Sequence, residues 1–168
     1  MKAKLDDVIE ALELRSDEGH YFYAVDTEEV VYVTIDDLRM AEDGEITDDL
    51  PEWQKDMVET AADIIENWDN HIKLPTQFDI NEYNIMSEFC YSLESKTIRN
   101  QLLNAIKGSG AFRRFKTSIQ HIGIEKQWYS FKDKYLYDMA VSARLKIVQE
   151  KLRKFPIRIK MNIRDGGT

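Results

Sequence analysis

Between Lys107 and Lys116 the chain reads Lys-Gly-Ser-Gly-Ala-Phe-Arg-Arg-Phe-Lys, and this run constrains the fold more than any other. Gly108 follows an apolar-periodic stretch and suits the left-handed conformation that closes a helix. Ser109 or Gly110 then gives the next helix a polar or unhindered start. The run therefore predicts two helices meeting at a tight corner. Beyond it, Phe112, Phe115, Ile119 and Ile122 fall on one helical face, and Arg113, Arg114, Lys116 and His121 fall off that face.

The corner admits two readings. Free backbone N–H groups at a helix start, approached through glycines and flanked by guanidinium groups, can hold a phosphate or carboxylate. The candidate anion-binding set is then Ser109, Gly110, Arg113, Arg114 and Lys116. The plainer reading is a tight turn with a solvated basic face, since glycine commonly does no more than end a helix. The run is not a P-loop, because the Lys-Ser/Thr ending is missing, and no strand precedes it as a dinucleotide fingerprint requires.

Charge is distributed unevenly. Residues 1–95 carry 26 Asp and Glu against 6 Lys and Arg, net −20, whereas residues 96–168 carry 5 against 17, net +12. Such a split points to attraction between the halves, within one molecule or between two, or to a basic surface open to a polyanion. With 168 residues, 43% hydrophobic and 32% charged, the chain has the size and composition of one folded domain. It has no apolar run long enough to cross a bilayer, and Met-Lys-Ala-Lys-Leu-Asp-Asp is not the start of a signal peptide. A cytoplasmic protein without a membrane partner is expected. Cys90 is the single cysteine, so no intrachain disulfide or Cys-x-x-Cys pair exists, and it is expected to pack as a small apolar residue. His20, His71 and His121 show no ligand spacing, and neither a metal nor a cofactor is expected.

Along the chain, Leu5, Val8, Ile9 and Leu12 predict a short N-terminal helix with Asp6 and Asp7 in its first turn. Residues 20–25 and 30–35 are dense in β-branched and aromatic side chains around a polar 26–29 turn, which predicts a β-hairpin. Residues 36–49 read as an acidic linker with at most a short helical turn. Placing Gly44 as a calcium-loop glycine puts Arg39 at the first ligand position, so no EF-hand is present. Asp49 and Glu52 form a capping box for a helix that buries Trp53, Met57, Ala61, Ile64, Ile65 and Trp68 behind an acidic face, Glu52, Asp56, Glu59, Asp63 and Glu66. Those carboxylates have the spacing of a solvent-facing row rather than of a catalytic pair. Asp79 and Glu82 suggest a second capping box, with a Phe78–Tyr83 staple, before a stripe of Tyr83, Met86, Phe89, Cys90 and Leu93. A helix from Ser95 with Ile98, Leu102, Ala105 and Ile106 inward runs into the Gly108 corner. After Gly123 a long helix buries Trp128, Phe131, Tyr135, Met139 and Ala143 until Pro156 stops it. Ile157, Ile159, Met161 and Ile163 then alternate with polar residues as a strand, expected to join the edge of the hairpin.

The order of these signals is similar to that of the bacterial uncharacterised protein family 0158. The resemblance lies in Ser16-Asp17-Glu18 before Tyr21-Phe22-Tyr23, in Leu50-Pro51-Glu52-Trp53, in the run from Phe78 to Met86, and above all in Gly108 to Lys116 with Trp128-Tyr129-Ser130-Phe131 downstream. It covers residues 12–143 and implies a bacterial protein, without implying an activity. Two departures stand out: Glu28-Glu29 replaces an expected Gly-Glu in the hairpin turn, and the basic tail after Lys151 is an extension.

The sequence thus predicts an α+β fold, a single domain over residues 1–168. Within it lie an acidic helix and hairpin region (1–49), a bundle of about five helices sharing one core (50–155), and a basic C-terminal strand or tail (156–168). The expected function is a non-catalytic binding or adaptor module, with a protein partner or self-association. The alternative is nucleic-acid or phosphate-ligand binding at the corner from Gly108 to Lys116, with an enzyme acting on a phosphorylated small molecule there as a third, weaker option. No nucleophile constellation, ligand spacing or cofactor loop argues for catalysis.

Overall fold

The two β-branched and aromatic runs pair as the sequence predicts. In the computed structural model, which describes residues 5–45 and 47–154, β1 (Gly19–Ala24) lies antiparallel to β2 (Glu29–Thr34), with Phe22 opposite Val31 and Tyr23 opposite Val30. Glu28 closes the turn at φ 59°, a left-handed conformation uncommon for a residue with a Cβ. A third strand, β3 (His71–Lys73), pairs with the other edge of β1, giving the order β2-β1-β3. The free edge of β1 is thereby closed by a segment whose three residues are too few to show alternation. The strand expected at 157–163 lies outside the described residues.

Alternation along β1 and β2 gives the sheet two apolar faces, and each is covered. On one face Phe22 and Val33 pack with Ala61 and Ile64, supported by Val31, Leu38 and Ala41. The helices there are α2 (Ile35–Asp43) and α3 (Glu52–Glu66). On the other, Tyr23 and Val25 join the main core with Leu12, Phe89, Leu102, Phe115 and Trp128. That side is built by α1 (Leu5–Glu13), α4 (Glu82–Ser92), α5 (Lys96–Ala105), α6 (Ala111–Ile122) and the 30-residue α7 (Glu125–Lys154). The fold is α+β with seven helices among the described residues. The single core expected from the helical stripes is replaced by two clusters, because α3 leaves the bundle to cover the second face of the sheet.

The main core is centred on aromatic rings. Trp128 meets Phe115 at 4.8 Å and Phe89 at 5.4 Å, both edge-to-face, the geometry ring quadrupoles favour. These contacts join α4, α6 and α7. Arg15 adds a polar tie: its Nε and Nη1 donate to the carbonyls of Ile80 and Leu12, while Glu82 takes the Lys132 ammonium at 2.7 Å and lies 3.6 Å from Arg15.

Several local expectations are corrected. Residues 35–43 are helical, because Thr34 and Asp37 form a reciprocal capping box and Gly44 closes the helix in the left-handed region. The N-cap of α3 is Pro51, without the Asp49–Glu52 box, and its stripe buries Val58, Ala61 and Ile64, leaving Trp53 64% and Trp68 57% exposed. The N-cap of α4 is Asn81, whose side chain accepts from the Tyr83 N–H. Asp79 instead accepts from the backbone and hydroxyl of Thr76. The Phe78–Tyr83 staple does not form, Phe78 being 87% exposed, and Tyr83, 46% exposed, stands off the buried stripe of α4.

Candidate functional site

The 108–116 corner is the sharp bend the glycines predict. Gly108 and Gly110 both lie in the left-handed region, φ 74° and 76°, and Gly110 is the N-cap of α6 with no side chain to cap it. Phe115 and Ile119 are buried, while Arg113, Arg114, Lys116 and His121 are all exposed. The cationic face therefore lies where helical spacing puts it, but the expected stripe is shorter, since Phe112 at its start is 44% exposed.

The candidate residues meet at this corner, but they face different ways. Arg114 Nε donates to the Ala105 carbonyl at 2.8 Å and Nη1 to that of Ser109 at 2.6 Å, while Nη2 donates to the carbonyl of Lys107. The last turn of α5 leaves carbonyls without helical partners, and a guanidinium fork is suited to gather them. Ser109 takes part through its carbonyl. Lys116 lies with Nζ 4.7 Å from the Phe112 ring centroid, a cation–π contact that keeps the ammonium beside its own helix. Arg113 has no side-chain bond among the described residues. What the corner offers an anion is Arg113 and the uncapped first turn of α6; the Arg114 fork holds the turn together.

A second locus is visible only in three dimensions. The turn end of the hairpin and α3 enclose a groove of about 450 Å³ lined by Asp26, Glu29, Asp56, Glu59 and Asp63, with His71 at its base and no Lys or Arg in its wall. The acidic row on α3 was legible in the sequence; its convergence with the hairpin carboxylates was not. Asn70, then the Thr27 N–H at 2.8 Å, hold the Asp26 carboxyl below its usual range. The buried His71 donates Nδ1–H to the Asn67 carbonyl at 2.9 Å, which turns Nε2 toward Asp63 Oδ2 at 3.5 Å. Trp53 lies on the same strip of α3 as Asp56, Thr60 and Asp63 by helical spacing, and its ring is mostly exposed.

Cys90 is fully buried, and desolvation pushes its thiol up to about 11, where it carries no nucleophilic thiolate. Among the described residues no group of three or more His, Cys, Asp or Glu is arranged to hold a metal, and no helix is long and apolar enough to cross a membrane. No protein-family model, curated protein or solved structure matches the chain.

Proposed function

We propose that the chain is a cytoplasmic, non-catalytic binding module whose acidic groove between the hairpin turn and α3 docks a cationic segment of a protein partner. The observation that carries this reading is the convergence of Asp26, Glu29, Asp56, Glu59 and Asp63 on one concavity, with no Lys or Arg among the described residues of its wall. Like charges crowded in this way repel one another, and a bound Lys or Arg relieves that repulsion while gaining their attraction. The exposed Trp53 ring offers the same partner an apolar and cation–π surface. A short arginine-rich peptide tests the reading by calorimetry at two salt concentrations. Each exposed ion pair contributes about 0.2–1 kcal/mol, so D56N/E59Q/D63N should weaken binding by about tenfold. The control E42Q/D43N/E45Q, equal in charge change but outside the groove, should leave it within about twofold. Equal losses in both variants would reduce the effect to net charge and overturn the reading.

The alternative, phosphate or nucleic-acid binding at the 108–116 corner, draws support from the exposed Arg113 and the uncapped start of α6. It requires the opposite ligand preference. A DNA mobility shift at low salt that is abolished by R113A/K116A, with no peptide binding, would favour it over the acidic groove.

A further inference from the structure

A third concavity, on the bundle side, is neither the corner nor the acidic groove. It is a cleft of about 700 Å³ between β3, the 74–79 turn and the middle of α7, a volume suited to a small molecule. Ile72, Leu74, Pro75 and Phe78 line it from one side, Met139 and Ala143 from the other. Its polar groups are few: Lys73, Lys146, Asp79, Thr76 and Ser142.

Three observations narrow the occupant. Neither Lys73 nor Lys146 forms an ion pair or hydrogen bond with another described residue, so two ammonium groups line the cleft without a direct carboxylate contact. Asp79 is tethered elsewhere, accepting from the Thr76 N–H at 2.8 Å and the Thr76 hydroxyl at 3.0 Å. These bonds, then the two lysines, hold its carboxyl ionised below the usual range. Its charge offsets one lysine, leaving the cleft with a surplus of one positive charge. Lastly, the Phe78 N–H donates to Thr76 Oγ1 at 3.2 Å, fixing that backbone at the rim, yet the ring is 87% exposed. An aromatic side chain held at the mouth of an apolar-walled cleft gains burial only when something lies against it.

We propose that this cleft binds a small amphipathic monocarboxylate, its apolar body between the 72–78 segment and α7 and its carboxylate between Lys73 and Lys146. The surplus of one positive charge matches one negative charge, and the apolar walls match an alkyl or aryl body. The proposal is independent of protein docking at the acidic groove, whose carboxylates lie on the hairpin and α3 and which shares only β3 with the cleft.

Decanoate is the probe, titrated by calorimetry and by displacement of anilinonaphthalene sulfonate fluorescence, with decylamine as a control of the same length and opposite charge. Saturable decanoate binding is expected, with at least tenfold weaker binding of decylamine. K73A/K146A should weaken decanoate by tenfold or more, and F78A by several-fold, with circular dichroism unchanged. D56N/E59Q/D63N should leave decanoate binding intact, which separates failure here from failure at the groove. No saturable binding, equal binding of the two probes, or an affinity unaffected by K73A/K146A would each overturn the proposal.

Discussion

Replacing Arg114 by alanine separates the two roles the sequence allows it. The side chain makes three charge-assisted bonds to carbonyls of Ala105, Lys107 and Ser109 at the end of α5 and in the turn. Water replaces part of each bond, since the residue is exposed, so we take about 0.5 kcal/mol apiece at the lower end of net hydrogen-bond values. A cation at a helix C-terminus contributes a further 0.3–1 kcal/mol or so. R114A should therefore cost about 2–2.5 kcal/mol, a fall in Tm of about 4–10 °C for a chain of this length. R114K should recover less than half, because one ammonium cannot span three carbonyls at once. R113A, which removes no bond among the described residues, should stay within about 0.5 kcal/mol of the parent. Scanning calorimetry in phosphate-free buffer and in phosphate is the assay. A parent-like Tm for R114A without phosphate, with loss of a phosphate-dependent rise in Tm, would refute the clamp and restore Arg114 as an anion ligand.

Two further outcomes follow from the backbone and from charge. G110A forces a Cβ into a left-handed residue, φ 76°, and to 3.0 Å from Arg114 Nη1; it should destabilise by about 1–2 kcal/mol in urea unfolding, and a neutral result would mean the corner relaxes freely. The Lys151 hydrogen bond at 2.7 Å is the leading cause holding the Glu28 carboxyl at about 2. Because the folded value lies below the unfolded one, its stabilisation is present above about pH 4.5 and lost as pH falls toward about 2. E28Q should flatten the urea midpoint across that window, and a profile identical to the parent would place the acid sensitivity elsewhere.

How much of this was legible in the sequence depends on the range of the signal. The hairpin, the Gly108 corner and the α7 stripe rest on alternation, glycine conformation and helical spacing within a few residues, and all three appear. The cap of α2 was also local: Thr34 and Asp37 stand three apart before Ile35, Leu38 and Ala41, with Gly44 behind, but the density of acid in 36–49 was read as a linker. Helical spacing sets Trp53 and Trp68 on one stripe with Ala61 and Ile64, whereas α3 faces the sheet with Val58, Ala61 and Ile64. The Arg114 clamp could not be read, since guanidinium reach over five to nine residues depends on the path of the turn. The acidic groove and the β3–α7 cleft each draw on segments more than 25 residues apart, so only the fold brings their walls together.

Part of the linear separation of charge becomes a separation of layers, because the sheet stands between α2–α3 and α6. The acidic α2 and α3 cover one face, whereas α6, with Arg113, Arg114 and Lys116 and no carboxylate, belongs to the helices on the other. Lys132–Glu82 and Lys151–Glu28 join the two halves of the sequence, but both pairs lie outside the groove. Of the groove carboxylates, Asp63 faces a histidine, whose charge depends on protonation, and Asp26 is held by uncharged donors. These ion pairs thus bypass the carboxylates gathered in the groove. A surface left in that condition favours a cation arriving from outside, and the same reasoning applied to Lys73 and Lys146 favours an anion at the β3–α7 cleft. Two sites of opposite preference on different layers are what a chain with these two halves can support without one ligand excluding the other.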